Sequence, residues 1–138
     1  MKTDGLPNDD VMVQPDCFDV TVSRFGKYVR FDVSGPTSLK RFAALIGDMA
    51  TELKQWGDVR VLVDLRGVVG RLQTSEQILV GDLSARILPP LFKLASLVPQ
   101  GEISRNSERA ARSKGVELRV FHGEASAMAW LMEGTPAT

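Results

Sequence analysis

The sequence predicts an α/β domain with a mixed five-stranded sheet, about four helices and the element order ββαβαβαβα. Three observations carry this. Two runs of alternating apolar and polar residues flank a short turn near the start, which is the pattern of a β-hairpin. A long stretch with apolar residues at helical spacing follows. After it, short β-branched strands alternate with helical segments, and strands joined through helices run largely parallel.

Taken in order, residues 1–16 carry Asp4, Asp9, Asp10 and Asp16 against one lysine, with Pro7 and Pro15 and no periodicity. They are expected to form a flexible tail ahead of a domain spanning residues 17–138. Phe18, Val20 and Val22 alternate with Asp19, Thr21 and Ser23 in the first strand. Val29, Phe31 and Val33 alternate with Arg30, Asp32 and Ser34 in the second, and Gly26 can take the positive φ of the turn between them. Gly35-Pro36 is expected to stop the second strand. Leu39, Phe42, Ile46, Met49, Leu53 and Trp56 define the first helix, with Thr37 or Ser38 as N-cap and Gly57 as its stop. Val59 to Leu65 is the third strand.

Thr74-x-x-Gln77 matches a capping box and opens the second helix, with Leu79, Val80, Leu83 and Ile87 on one arc, Ile78 and Leu88 outside it, and Pro89-Pro90 beyond. Phe92 to Val98 forms the fourth strand. Residues 104–114 form a polar helix with little to bury. Val116, Leu118 and Val120 mark the last strand, and Glu124 to Met132 the last helix. The second and fifth strands alternate cleanly, and the third carries Arg60 and Asp64. Sheets covered by helices on both faces have strands that are apolar throughout, so the helices are expected mainly on one face. The other face is then partly open, carrying Arg30, Asp32, Arg60, Glu117 and Arg119, with cross-strand ion pairs as its plain explanation.

At 138 residues the chain has the length of one domain. Such a domain buries roughly two-thirds of its unfolded surface and needs no disulfide or metal to fold. Its 17 basic and 17 acidic residues cancel, so no overall field draws it onto nucleic acid, and none is expected as a partner. Cys17 and His122 are each alone, which leaves no disulfide pair and no metal-ligand cluster. Neither a metal nor a cofactor is expected. Cys17 reads as a partly buried small side chain and His122 as a turn residue. The N-terminus lacks the pattern of a signal peptide, and no stretch reaches the roughly 18 apolar residues of a membrane span. A soluble, cytoplasmic protein is the expectation.

The element order resembles the SpoIIAA-like family of the STAS superfamily, whose fold is shared with Sec14-type lipid carriers. Two motifs carry the likeness over residues 18–133: "VRVLVDLRGV" on the third strand, and "VELRVFHGEASAMAWL" with its closing Ala127-Met128-Ala129-Trp130-Leu131. The resemblance implies no catalytic activity, and a role as a protein-interaction switch or a binder of apolar ligands. Anti-sigma factor antagonists of the superfamily carry a phosphorylatable serine in an Asp-Ser-Ser-Gly-like motif at the start of the second helix. Leu72-Gln73-Thr74-Ser75 stands there in this chain, without the aspartate or the glycine. Thr74 or Ser75 could still take a phosphate, since a helix N-terminus tolerates the added charge.

The residues themselves point to one candidate site. Gly67 and Gly70 let the backbone turn, Arg66 and Arg71 offer two cations, and the second helix begins near Thr74 and Ser75 with Leu72 beside it. These are parts of an anion-accepting rim at the C-terminal end of a sheet strand, where open α/β folds bind ligands. An ordinary loop with two solvated arginines and a helix cap is the plain alternative. No Gly-x-Ser-x-Gly elbow is present, and Asp64 has no paired carboxylate at catalytic spacing, so no enzyme is expected. Two classes of function therefore compete: a carrier or sensor of a small apolar or lipid-like ligand, and a protein-interaction module. Arg105, Arg109, Arg112 and Lys114, set against Glu102 and Glu108, make the third helix basic; contact with an anionic membrane surface or an acidic partner is the sharper alternative to a solvated helix. A weak homodimer is compatible with either class.

Overall fold

The computed structural model describes residues 17–99 and 105–136. The tail read over residues 1–16, and Glu102, lie outside the described residues. The elements are β1 (Asp19–Arg24), β2 (Val29–Pro36), α1 (Leu39–Trp56), β3 (Arg60–Val69), α2 (Thr74–Ile87), β4 (Lys93–Leu97), α3 (Asn106–Arg112), β5 (Leu118–Phe121) and α4 (Glu124–Met132). They form one mixed sheet in the order β1-β2-β3-β4-β5, with β1 antiparallel to β2 and the other neighbours parallel. From β2 onward the chain steps across the sheet in a single direction. Right-handed crossovers then place every intervening helix on the same face.

That face holds the main core. Val29, Phe31 and Val33 of β2, Val61 and Val63 of β3, and Leu118 and Val120 of β5 meet Leu45, Ile46, Met49 and Leu53 of α1. Among the described helices, α4 alone returns to the opposite face. There Ala127 and Leu131 close a smaller core over Leu62, Ala95 and Leu97. Two cations sit at the end of α4: Lys93 Nζ donates to Trp130 O in its last turn at 2.6 Å, and Arg60 Nη2 to Gly134 O just past the helix at 2.6 Å. Positive charge is favoured at a helix C-terminus. Arg60 is therefore buried beneath α4 and does not lie on an open face, as the alternation alone suggests. Glu117 precedes β5 and pairs with Arg112 at 3.4 Å.

Local chemistry sets most boundaries. Gly26 has φ 84°, and the Phe25 N–H donates to Tyr28 O at 3.0 Å to close the hairpin. Ser38 is the N-cap of α1, its Oγ accepting from the Arg41 N–H at 3.1 Å. Gly57 ends α1 in the left-handed region, φ 70°. Trp56 leaves the core and stays 60% exposed, with the Arg24 guanidinium 4.8 Å from its ring centre. Cys17 is exposed, contrary to the partly buried position its residue type suggests. His122 is exposed in the bend between β5 and α4.

Three expectations are corrected. Gly35-Pro36 does not stop β2, because a bulge between Asp32 and Ser34 shifts the register and pairing continues to Pro36–Val69. Strand β3 therefore runs to Val69, and Arg66 and Gly67 are strand residues, not loop residues. Gly67 permits this: a Cβ there would stand 2.9 Å from Ser34 Cβ and 3.0 Å from Val33 O. Second, the box that opens α2 sits one residue earlier than Thr74. Gln73 is the N-cap, its N–H donating to Glu76 Oε1 at 3.0 Å, so Thr74 is the first helical residue. Third, α3 is docked by a carboxylate: buried Glu108 accepts the Val120 N–H at 2.9 Å and Arg105 Nη1 at 2.8 Å through Oε2.

Helix α2 packs in an unusual way. Of the expected arc, Val80, Leu83 and Ile87 pack against the core, as does Leu88 from outside it, while Leu79 is 49% exposed beside Ile78. Its buried residues are Gly81 and Ser84. At Gly81 the helix touches α3, where an added Cβ would collide with Ser107 O and stand 2.8 Å from Ala110 Cβ.

Two measurements check these assignments. Alanine at position 81 gains about 1 kcal/mol of helix propensity, but the clash is with backbone and overpacking costs about 1–3 kcal/mol. Gly81→Ala should therefore lower stability in urea unfolding; a gain would refute the close α2–α3 contact. In the same assay Glu76→Ala should cost about 0.5–1 kcal/mol by releasing the Gln73 N–H. Thr74→Ala should stay within about 0.5 kcal/mol of the parent.

Candidate functional site

The candidate residues divide between the two faces of the sheet. In β3, Arg60, Leu62 and Asp64 face α4, and Arg66 continues on that side. Its Nε and Nη2 donate to the two Asp64 oxygens at 2.9 and 2.6 Å, and Nη2 also donates to Glu124 Oε1 at 2.9 Å. The Arg66 N–H donates to Asp64 Oδ1 at 3.0 Å. Arg30 reaches the same cluster from β2, donating to Asp64 Oδ2 at 2.7 Å, Glu124 Oε2 at 3.0 Å and Asp32 Oδ1 at 3.0 Å. Two guanidinium groups and three carboxylates thus tie β2, β3 and the first turn of α4 together. Gly67 lies beside them, along a shallow groove with Asp19, Thr21 and Ser34.

The electrostatics follow from that geometry. Burial alone would push the Asp64 carboxyl up. The hydrogen bonds from the Arg66 side chain and N–H, with the charges of Arg66 and Arg30, outweigh it and hold Asp64 below the usual carboxylate range. Hydrogen bonds from Arg30 and then Arg66 do the same for Glu124. Arg66 is correspondingly raised, first by its bond to Asp64.

The other face holds a cavity of about 280 Å³ between the sheet, α1 and α2. Phe42, Leu45, Ile46 and Met49 of α1 form one wall, Val63, Leu65 and Val68 of β3 the floor, and Val80, Ser84 and Leu88 the side towards α2. Because β3, β4 and β5 are parallel, their C-terminal ends lie together, and α1 and α2 both begin at that end. Thr37, Gly70, Arg71, Leu72, Gln77, Pro99 and Ser107 line the cavity there. Met49, Leu88, Leu94 and Leu118 line its far end, so the cavity is polar at one end and apolar at the other. Gln77 braces the polar end: Nε2 donates to Leu72 O at 2.9 Å, and Oε1 accepts from Asn106 at 2.8 Å. Gly70 has φ 93°, and a Cβ there would stand 3.1 Å from Thr37 Cγ2.

Gly70, Arg71 and Leu72 are therefore brought together at the cavity, Arg66 and Gly67 lie on the opposite face, and Thr74 and Ser75 are exposed at the start of α2 without lining the cavity. The sequence reading missed Asp64 and Glu124 as partners of Arg66, and missed Gln77, Ser84 and Ser96 as cavity residues. A signal for the first existed, since Asp64-x-Arg66 has the spacing of one strand face. Ser84 and Ser96 are small polar positions among mainly apolar inward neighbours, which is the available signal for the second.

The ionic cluster predicts a pH dependence. A carboxyl held low in the folded state contributes stability that is present above its unfolded pKa of about 4 and is lost as pH falls through the folded value. The parent should therefore lose stability steadily below about pH 4. Asp64→Asn should be less stable at neutral pH by about 3 kcal/mol, since it leaves two guanidinium groups short of a partner, and flatter in acid. Urea unfolding of both proteins across pH 2–8 measures this; parallel profiles would refute the role given to Asp64.

No family model matches the chain, and no curated protein matches it by sequence. Solved structures do. An anti-sigma factor antagonist from Mycobacterium paratuberculosis superposes with a TM-score of 0.62 at 12% identity, covering 88% of this chain and all of that one. A DUF3478-family protein with a SpoIIAA-like fold from Shewanella loihica PV-4 superposes with a TM-score of 0.51 at 15% identity, covering 87% and 98%. Likeness at these identities is one of fold, and with the sheet order and the four helices it gives the conclusion that this chain has the SpoIIAA-like, STAS-type fold.

Proposed function

We propose that the chain is a non-catalytic binding domain that takes a small apolar or lipid-like ligand in the cavity under α2. The observation that carries this is the cavity itself. Core gaps larger than a water molecule are few in a packed domain, and an apolar void forfeits contacts on every wall. This one holds about 280 Å³ and opens towards the strand ends where open α/β sheets bind ligands. In this reading the anion-accepting rim is Gly70, Arg71 and Leu72, the candidate residues that line the cavity.

A second reading is a protein-interaction module in the manner of an anti-sigma factor antagonist. The fold comparison supports it more directly than it supports a ligand, since one superposable protein bears that name. Exposed Thr74, Ser75, Ile78 and Leu79 on the first half of α2 supply a surface with apolar contacts and two phosphate-accepting hydroxyls.

Native mass spectrometry of the full chain purified from its own host separates the two. A small non-covalent adduct, reduced in a Ser84→Leu variant whose larger side chain intrudes on the cavity, is the result expected of the first reading. A stable heteromer of fixed stoichiometry, unchanged in that variant, would favour the second. A bare monomer or homodimer mass in both proteins would count against the ligand.

A further inference from the structure

We infer that the ligand carries an oxygen within its apolar part, a hydroxyl or a carbonyl held between Ser96 on the cavity floor and Ser84 on α2. This rests on the cavity being a ligand site. The floor gives the first observation. Phe31, Val63, Ser96 and Val120 form one row across the sheet, paired strand to strand from β2 to β5. The three apolar members are buried, while Ser96 is half-buried and lines the cavity. Among the described residues nothing is hydrogen-bonded to the Ser96 hydroxyl. A hydroxyl set among apolar walls is costly until something bonds to it.

Helix α2 gives the second observation. Ser84 also lines the cavity, and its Oγ donates to Val80 O at 2.9 Å, which leaves its lone pairs to accept. The two serines lie at one depth. Leu88 and Leu94 both line the far end. Ser84 is one turn back from Leu88, about 6 Å at the helical rise. Ser96 is two residues on from Leu94, about 7 Å at the strand rise. Because α2 and β4 run in opposite directions, both steps lead from the far end towards the mouth. The two hydroxyls differ in role. Ser96 donates to a carbonyl or a hydroxyl alike, whereas Ser84, whose proton is already placed, takes a hydrogen bond only from a hydroxyl. An alcohol oxygen therefore meets both serines, a ketone oxygen one, and an alkyl group neither. A plain alkyl group at that point leaves Ser96 unpaired, and sites with buried polar groups reject such analogues strongly.

Titration of the full chain followed by amide NMR tests this, with cyclohexanol, cyclohexanone and cyclohexane as probes. The parent is set beside Ser96→Ala, Ser96→Thr and Ser84→Ala, each checked for folding by circular dichroism. The probes differ in their partitioning from water, so the readout is the change that each variant makes in each dissociation constant. Ser96→Ala should weaken cyclohexanol and cyclohexanone about tenfold relative to cyclohexane, the difference between a hydroxyl paired and one left unpaired. Ser96→Thr keeps the hydroxyl and should hold the parent's preference to within about threefold. Ser84→Ala should weaken cyclohexanol about fivefold and leave cyclohexanone nearly unchanged. Equal effects of Ser96→Ala on all three probes would overturn the proposal and leave the hydroxyl to bound water, while binding of cyclohexane kept the cavity reading standing. Equal loss of alcohol and ketone in Ser84→Ala would overturn the role given to Ser84. Failure of every probe on the folded parent would overturn the cavity reading itself.

Discussion

Helix α2 rests on Gly81, where its backbone comes against Ser107 and Ala110 of α3 with no room for a methyl group. Over the cavity it presents Gln77, Val80, Ser84 and Leu88, two of them polar and one of these only a serine, while Leu83 and Ile87 pack into the core beside it. Helix packing distances are set by the side chains at the contact, so a helix held close to its neighbour and carrying small groups inward cannot fill the space beneath it. Helix α3 is fixed in turn by Glu108 on the Val120 N–H. The pair α2–α3 is therefore positioned by the β5 edge and by each other, and the space over β3 and β4 is left as the cavity. Its walls are good core residues, Phe42, Ile46, Met49 and Val63 among them, which leaves the gap a matter of placement and not of poor composition.

The opposite face shows how the floor of that cavity is kept in register. Asp64 is a carboxylate on a central strand, 7% exposed, where an apolar residue would be ordinary. A buried charge persists only when paired and hydrogen-bonded, and Arg30, Arg66 and the Arg66 N–H supply four bonds to it. The cluster pins β2 to β3 just before the bulge at Asp32/Ser34. Beyond it, pairing continues to Val69 because Gly67 has no side chain, and that extension places Val68 and Gly70 at the polar end of the cavity. The Thr37 N–H closes the arrangement by donating to Val69 O at 2.8 Å.

How much of this was legible in the residues depended on whether local pattern or tertiary placement decided the outcome. The hairpin and α1 with Ser38 and Gly57 follow from periodicity and caps that neighbours do not override. The one-sided arrangement of α1, α2 and α3 followed from the clean alternation of β2 and β5. The end of β3 was hidden, because Arg66-Gly67 looks like the start of a loop unless the bulge in β2 and its partner Ser34 are known. That error joined Arg66 and Arg71 in one rim, although strand alternation puts Arg66 on the face of Asp64. The cap of α2 was misplaced by one residue because Thr74-x-x-Gln77 and Gln73-x-x-Glu76 both fit the pattern, and the carboxylate of Glu76 accepts the stronger bond. The cavity itself was out of reach, since a void is a property of distances between elements and leaves only the faint mark of Ser84 and Ser96 among apolar neighbours.

Both proposed modes of action use the same helix. A molecule in the cavity touches Val80 and Ser84 on the inner side of α2, while Ile78, Leu79, Thr74 and Ser75 lie on its outer side and at its start. Such an arrangement couples ligand and partner only if α2 has two positions that the ligand distinguishes, since equal affinity for both shifts nothing. The segments that bound α2 are short. Gly70, with φ 93°, precedes α2, and Pro89-Pro90 follows it. At Gly81 the helix lies directly against α3, and Gln77 is tied to Asn106 of that helix. A ligand present at a hundred times its dissociation constant would favour its preferred position by about 2.7 kcal/mol, enough to move a balanced two-state equilibrium by about a hundredfold. Whether a partner reads the outer face of α2 then reduces to whether that face is the same with the cavity filled and empty.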